Sequence, residues 1–264
     1  MDNSEETIKY IKIFLLVVLF AALISLSFRI FLMFKNSSFR YATFNVLLTD
    51  SKNANLIHID RNQNKMSIVY LPKSGSALSS RSRFSESLII GIPVDGKISA
   101  QNVLPVAADG SFLAKNSLLA LLFNSSGTKL DNLNSLDLIK IFLYTKQISQ
   151  NDRSYVTIKK ENLPQNYENF FDKQIFNEKE SVQIINGADI SGLGSRVAGV
   201  LKNAGYNVIA TSNGKSSKSY IKSISPDSIS TKRLQNFLNV PVIKSDGNSI
   251  ADITVVLGED ISKK

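Results

Sequence analysis

The chain has 264 residues, a formal net charge of +9 at pH 7, no cysteine and one histidine, His58. These counts exclude disulfides, thiol catalysis, cysteine metal sites and any metal site with several histidines. The positive charge is scattered and forms no basic stripe with interleaved aromatic residues, so a nucleic-acid partner is not expected. Scattered charge suits anionic lipid or an anionic wall polymer, or a solvated surface without a partner.

Residues 13–34 form an apolar run whose only charge is Arg29, and they follow a short tail, residues 1–12. At about 1.5 Å per helical residue this run reaches roughly 33 Å, about the thickness of a bilayer's hydrocarbon core. A cleaved signal peptide would be shorter and would end in small residues, and a core helix of a soluble domain would carry a polar face. The run therefore predicts a single transmembrane helix. The basic residues that flank it are nearly balanced and do not assign its orientation.

The middle region, residues 41–160, follows a short predicted linker at residues 35–40. Strand patterns occur at 42–49, 55–60, 65–71, 88–92 and 155–159, and a short helix is predicted at 115–123. Residues 73–87 are serine-rich and predict an exposed loop. Ser135 is predicted to cap a helix whose inward face carries Leu136, Ile139 and Leu143. His58 lies in a strand, where a structural role is favoured over a catalytic one.

Residues 161–180 are polar and predict a linker to a second domain, residues 181–261. There, strand patterns alternate with two helix patterns at 191–203 and 228–238, and Gly205 stands where a helix C-terminal cap is expected. This alternation predicts a small α/β domain with a mixed sheet. The predicted fold class is α/β: a transmembrane helix, a reduced middle domain and a small C-terminal domain.

The C-terminal region resembles the LytR C-terminal domain over nearly all of residues 181–261. The resemblance is carried by the segments 182–187, 192–193, 201–208 and 251–260, in order and spacing. In bacteria that domain commonly follows a membrane anchor and a LytR-CpsA-Psr domain. The resemblance therefore implies that the bulk of the chain lies outside the cytoplasmic membrane.

Residues 45–51, 55–60 and 67–73 are similar to the opening strands of the LytR-CpsA-Psr catalytic domain. Such enzymes transfer polyprenyl-pyrophosphate-linked glycopolymers to peptidoglycan, with Mg²⁺ and with Asp and Arg residues around the pyrophosphate. Here Asn55 replaces an expected Asp, and Lys73-Ser74 replaces an Arg-Asp pair. The later arginine-rich helix is missing, so the middle domain is predicted to be a divergent, non-catalytic relative.

Two groups of residues are candidate ligand contacts, and no catalytic or metal-binding residue is predicted. The first group surrounds a strand-to-helix turn that can offer backbone N–H groups to a wall glycan or phosphate: Asn186, Gly187, Gly192, Gly194 and Arg196. The second group would form a relict anion pocket: Asp50, Lys73, Arg81 and Arg83. Alternatively, the glycines only let the turn close, and the second group consists of turn and loop residues in water.

The sequence thus predicts a single-pass bacterial cell-membrane protein, its bulk extracytoplasmic, that binds a cell-wall polymer, peptidoglycan or an envelope protein through its C-terminal domain. No catalysis and no cofactor are expected. The alternative is a divergent glycopolymer phosphotransferase, which would need Mg²⁺. A third possibility is a regulatory or assembly subunit that acts through the transmembrane helix.

Overall fold

The structure is a computed structural model that describes residues 2–49, 54–71, 82–100, 128–157, 170–247 and 249–263. Helix α1 (Asp2–Lys35) begins the chain, so the helix also includes most of the predicted tail. Its 28-residue segment Ile8–Lys35 is long and apolar enough to cross a membrane, and none of that segment's most apolar part is buried against the rest of the protein. The predicted helix at 115–123 lies outside the described residues.

The first sheet contains six strands within the described residues, in the order β5-β4-β1-β2-β3-β6. Strand β2 is antiparallel to β1 and β3, while β4 and β6 are parallel to β1 and β3 respectively, and β5 is antiparallel to β4. The strands are β1 (Thr43–Thr49), β2 (Ala54–Asp60), β3 (Lys65–Leu71), β4 (Gly96–Ala100), β5 (Thr128–Asp131) and β6 (Arg153–Thr157).

Both faces of this sheet are buried, which explains why every position of β1 and β2 is inaccessible to solvent. Helix α3 (Ser135–Gln147) packs on one face through Leu138, Ile141 and Phe142. Helix α2 (Arg83–Ile90) and the segment after it cover the other face, where Ile90 joins Leu47 and Leu56 in a second apolar cluster. A 3-10 turn, Gln150–Asp152, precedes β6.

The second sheet contains five strands within the described residues, in the order β10-β9-β11-β7-β8, and it is mixed as predicted. Helices α5 (Leu193–Asn203) and α6 (Ile229–Leu238) pack on one face around Val182, Ile184 and Val255. The elements are α4 (Lys173–Glu178), β7 (Ser181–Asn186), α5 (Leu193–Asn203), β8 (Asn207–Asn213), β9 (Tyr220–Ser223), α6 (Ile229–Leu238), β10 (Val242–Lys244), β11 (Ile253–Leu257) and a 3-10 turn (Glu259–Lys263).

Four predictions for the middle region are wrong. The first is the exposed loop at 73–87, because its described residues from Arg83 on lie in helix α2, where Arg83, Phe84, Glu86 and Ser87 are buried. Residues 88–90 belong to helix α2, which Ser82 caps and Gly91 ends in the left-handed conformation at φ 81°. Asn134, not Ser135, caps α3, because its side chain accepts from the N–H of Asp137 in a capping box. The inward face of α3 carries Leu138, Ile141 and Phe142, so the predicted stripe of Leu136, Ile139 and Leu143 points away from the core.

The described part of the predicted linker, residues 170–180, is ordered against both sheets. Phe170 joins the apolar cluster beneath the first sheet, and Ile175 of α4 joins the core of the second. The backbone N–H of Asp172 donates to the carbonyl of Ala204 at 3.1 Å. Residues 161–169 lie outside the described part of the chain.

The predicted linker at 35–40 is likewise held in place. The carboxylate of Asp137 accepts from the Ser37 hydroxyl at 2.5 Å and from the backbone N–H of Ser38 at 3.3 Å and Phe39 at 3.1 Å. Asn134 donates from its side chain to the carbonyl of Met33 in α1 at 2.9 Å. The C-terminal end of α1 is therefore fixed to the N-terminal end of α3.

Candidate functional site

The first predicted group gathers at one edge of the second sheet. Because β7 is parallel to both β8 and β11, the carboxyl ends of these three strands meet there. The N–H of Gly187 donates to the carbonyl of Leu257 at 2.7 Å, and that of Gly214 donates to the carbonyl of Asn186 at 2.9 Å. Ligands of open α/β sheets commonly bind at this edge.

Close packing explains two glycines at this edge. A Cβ on Gly187 would lie 2.9 Å from the backbone nitrogen of Ser216. A Cβ on Gly258 would lie 2.3 Å from the carbonyl carbon of Lys218, a backbone atom that cannot rotate away. Both positions therefore need glycine to let the turns close. For Gly187, this agrees with the alternative that the glycines only let the turn close.

Helix α5 begins at this edge without a side-chain cap. Gly192 occupies the N-cap position at φ 70°, and no side chain accepts from the first turn. The side chain of Asn186 donates to the carbonyl of Ile190 at 2.9 Å, and Arg196 is exposed, with a 3.4 Å hydrogen bond to the carbonyl of Ser191. With Gly194, the five predicted residues thus lie together at a helix N-terminus, and their ligand contacts stay a prediction.

In the second predicted group, Arg83 is an interior residue. It is 7% exposed and donates to the carbonyls of Val94 at 2.8 Å and Asn236 at 3.0 Å. Its Nε lies 3.7 Å from Asp131. The guanidinium thus joins α2 to α6 and is not in the predicted exposed loop. Asp50, Lys73 and Arg81 lie outside the described residues.

The face of the second sheet opposite α5 and α6 was not predicted from the sequence. In the described structure this face holds an open cleft of about 540 Å³ lined by ten residues of β7, β9, β10, β11 and the loop after β10. Ile243 and Ile250 are 47% and 70% exposed, and Lys222 and Lys244 place positive charge beside them. The alternation of Gln183 and Ile185 with buried Val182 and Ile184 was the available signal. We refer to the second sheet as sheet B and call this surface the sheet-B cleft.

A buried polar network joins the two sheets and was also missed. Arg233 of α6 is 5% exposed and lies 3.2 Å from the Asp95 carboxylate and 3.1 Å from the Asp172 carboxylate. It also donates to the carbonyl of Thr43 at 2.6 Å, and the Thr43 hydroxyl donates to Asp172 at 2.5 Å. Burial opposes a high pKa for Arg233, but the two carboxylates outweigh it and raise that pKa. The network therefore holds a charged arginine between the two units.

His58 lies beside this network. Its Nδ1 is 2.7 Å from Oδ1 of Asn45, whose side-chain nitrogen donates to the carbonyl of Pro93, so Nδ1 carries the proton. Burial and, to a smaller extent, the charge of Arg233 lower the pKa of His58 to about 3. The histidine is therefore neutral at pH 7. It also lines a cavity of about 360 Å³ with Lys65, Phe171 and other residues.

Among the described residues, no group of three or more His, Cys, Asp or Glu side chains is arranged to hold a metal ion. The described carboxylates of the interface, Asp95 and Asp172, are both engaged by Arg233.

The molecule thus combines an exposed apolar helix with two α/β units. Residues 180–260 match the family LytR_C, described as LytR cell envelope-related transcriptional attenuator. The chain therefore contains a LytR C-terminal domain, which confirms the predicted resemblance and relates the protein to the cell envelope. No curated protein matches the chain.

Two solved structures are similar to it in part. Lin1025 protein from Listeria innocua is 16% identical, with 84% of this chain and 94% of that chain covered and a TM-score of 0.21. The putative transcriptional factor Lmo1026 from Listeria monocytogenes, solved as a fragment, is 14% identical, with 84% and 93% covered and a TM-score of 0.21. Likenesses this distant transfer no property to this chain.

Proposed function

We propose that the protein is a single-pass membrane protein of the cell envelope that binds a cell-wall polymer or an envelope protein through its LytR C-terminal domain. The sheet-B cleft is the observation that carries this proposal. The other face of the same sheet is occupied by α5 and α6. Helix α6 contacts the first unit through Arg233 and Phe237, and α5 does so through Asn203. The cleft is thus a surface that the described part of this domain leaves open to a partner.

The composition of the cleft suits a polar polymer or a protein surface. Lys222 and Lys244 can pair with anionic groups, and Gln183 and Thr254 can exchange hydrogen bonds with hydroxyl or amide groups. The exposed isoleucines add apolar area that a partner would remove from water, at about 25 cal/mol per Å². Charged and apolar groups in one concave surface are typical of a binding site.

Membrane anchoring is supported by α1. An apolar helix of this length satisfies its backbone internally in lipid, whereas in water its exposed isoleucine, leucine and phenylalanine side chains would be unprotected. With the family's relation to the envelope, this supports a protein whose α/β units lie outside the cytoplasmic membrane.

The proposal favours binding over catalysis because the described part of the candidate pyrophosphate pocket is committed elsewhere. A clamp for a diphosphate needs free guanidinium groups. Arg83 instead uses its two terminal nitrogens on interior carbonyls. The phosphotransferase alternative predicts Mg²⁺-dependent turnover of a polyprenyl pyrophosphate that Asp50→Ala abolishes, and such turnover would contradict the non-catalytic proposal.

Binding is tested with the full chain in detergent micelles, sedimented with purified peptidoglycan that carries or lacks its anionic polymers and, separately, with solubilised envelope proteins on beads. We expect the wild-type chain to be retained, and we expect K222Q/K244Q to lower the retained fraction about fivefold or more. The control K129Q/K202Q removes the same charge from exposed positions outside the cleft and should leave retention unchanged.

One result would contradict the proposed binding site, and a second would contradict the proposed function. If Arg196→Gln lowers retention while K222Q/K244Q does not, binding occurs at the glycine-rich edge and not at the sheet-B cleft. If the chain is retained by neither peptidoglycan nor envelope proteins, the binding function itself is wrong.

A further inference from the structure

We infer that the surface where α1 meets the first unit binds the headgroups of anionic phospholipids, an inference that rests on the proposed membrane anchoring. We call it the junction surface. It consists of an arginine-lined cleft and the adjoining face of α3: Arg40, Tyr41, Arg61, Tyr144, Leu136, Lys140 and Leu143.

The junction surface lies close to the membrane because its connection to α1 is short and fixed. Arg40 follows the last residue of α1 by five positions, and five residues span at most about 18 Å even when fully extended. The four hydrogen bonds that Asp137 and Asn134 make to Met33, Ser37, Ser38 and Phe39 hold this connection against α3. The first unit therefore cannot swing away from the end of the anchor.

The cleft of the junction surface is positively charged. It measures about 540 Å³ and is lined by Arg40, Tyr41, Arg61 and Tyr144 among other residues. Within the described residues, neither arginine has a carboxylate within 4.0 Å. Arg61 makes a 3.4 Å hydrogen bond to the carbonyl of Tyr41 and lies 5.4 Å from the Phe39 ring, which leaves donors for a phosphate.

The nearest described acid on β2, Asp60, offsets part of this charge, but it is buried and does not line the cleft. Its Oδ1 accepts from the backbone N–H groups of Asn62 at 2.9 Å and Gln63 at 3.1 Å, so the carboxylate serves the β2–β3 turn. Asp137 is fully buried and serves the junction itself. Among the described residues, the lining of the cleft contains two arginines and no carboxylate, so a phosphate that enters would meet a positively charged site.

The adjoining face of α3 has the composition of a helix at a lipid–water interface. At 100° per residue, Leu136, Lys140 and Leu143 share one side of the helix. Lys140 lies 2.9 Å from the Ser37 hydroxyl and 5.5 Å from the Phe34 ring of α1, which places this side next to the anchor. Leu143 is 52% exposed. Apolar residues beside lysines and arginines are the pattern by which helices lie on anionic bilayers.

The chain has no tryptophan, so Leu143→Trp introduces a single fluorescent reporter at an exposed position of this face. The full chain with this substitution is placed in phosphatidylcholine nanodiscs that contain a small, fixed fraction of spin-labelled lipid, either phosphatidylglycerol or phosphatidylcholine. We expect labelled phosphatidylglycerol to quench the fluorescence at least about twofold more strongly than labelled phosphatidylcholine. Adding R40Q/R61Q should equalise the two, whereas the charge-matched control K215Q/K218Q should preserve the difference.

The inference would be overturned if both labelled lipids quench the Leu143→Trp protein equally. It would also be overturned if stronger quenching by phosphatidylglycerol persists after R40Q/R61Q is added. Leu136→Trp serves as a second reporter if circular dichroism shows that Leu143→Trp misfolds. Flotation of the chain with lipid vesicles separates the two claims. A chain that floats but shows no lipid preference contradicts this inference alone, and a chain that fails to float contradicts the proposed anchoring as well.

Discussion

At the scale of single residues, Arg233 connects the two units most directly. Its partners Thr43, Asp95 and Asp172 are separated from it by 61 to 190 positions in the chain. No local pattern predicts such a contact, because periodicity shows only which positions are buried and not which distant elements meet. For this reason, the sequence indicated no role for Asp95 or Arg233.

Replacing Arg233 with Met should destabilise the protein by about 3–5 kcal/mol, because Asp95 and Asp172 would be left buried without their counter-charge. The measurement is urea unfolding of the full chain in mild detergent, followed by circular dichroism. Lys232→Met is the control. Lys232 is adjacent to Arg233 in the chain, but its side chain is half exposed and pairs with Asp227 at the surface. Equal midpoints for the two variants would show that the network contributes nothing.

His58 should make stability depend on pH. Its pKa is about 3 in the folded protein, below the ordinary 6.5, so its contribution is complete above pH 6.5 and is lost as the pH falls toward 3. We expect the difference in unfolding free energy between the wild type and His58→Gln to decrease by about 1.4 kcal/mol per pH unit between about pH 6 and 4. Burial raises the pKa of Glu86 to about 7, so Glu86 makes stability depend on pH in the direction opposite to His58. Because Glu86 is present in both proteins, its effect cancels in the difference between them. A constant difference would contradict a buried neutral histidine.

Two glycines at the candidate edge should respond differently to alanine. A Cβ on Gly258 would meet the Lys218 backbone at 2.3 Å, whereas on Gly194 it would lie 3.6 Å from the Asn186 Cβ, an ordinary contact. Gly258→Ala should therefore cost about 1–3 kcal/mol or more, while Gly194→Ala in a helix should be neutral or slightly stabilising. Urea midpoints in detergent measure both, and a tolerated Gly258→Ala would contradict the packing described for this edge.

At the scale of elements, the sequence predicted the second unit better than the first. In the second unit, each strand and helix has its own turn signal, and Ser228 and Gly205 mark helix ends where they were expected. In the first unit, α2 is a helix of eight residues, too short to show a clear period. The apolar positions of α3 fit two faces, and packing of Ile141 and Phe142 against the sheet selects the face other than the one predicted.

The junction between α1 and α3 depends on one carboxylate. Asp137→Ala removes the acceptor for Ser37, Ser38 and Phe39 and should release residues 36–41 from α3. Limited trypsin digestion of the full chain in detergent should then cut after Lys35 and Arg40 at least about tenfold faster than in the wild type. Asp152→Ala, in the 3-10 turn before β6, is the control. Unchanged cleavage would indicate that the junction is held by other contacts.

At the scale of the whole molecule, the fixed junction and the Arg233 network make one connected body of the anchor and the two units. The helical face of the second sheet is used inside this body, and the sheet-B cleft faces outward. With the proposed anchoring, this arrangement would hold the proposed binding cleft at a set position relative to the membrane. The LytR C-terminal domain could be predicted from sequence because its segments are local, whereas this arrangement depends on contacts between distant residues.

Protease protection in intact spheroplasts tests the central claim most directly, because the claim requires the α/β units to be membrane-bound and outside the cytoplasm. The full chain carries a C-terminal epitope, and a cytoplasmic protein serves as the internal control. We predict that protease added outside removes the epitope from the membrane fraction while the cytoplasmic control stays intact. An epitope that is protected until the spheroplasts are lysed would contradict the account.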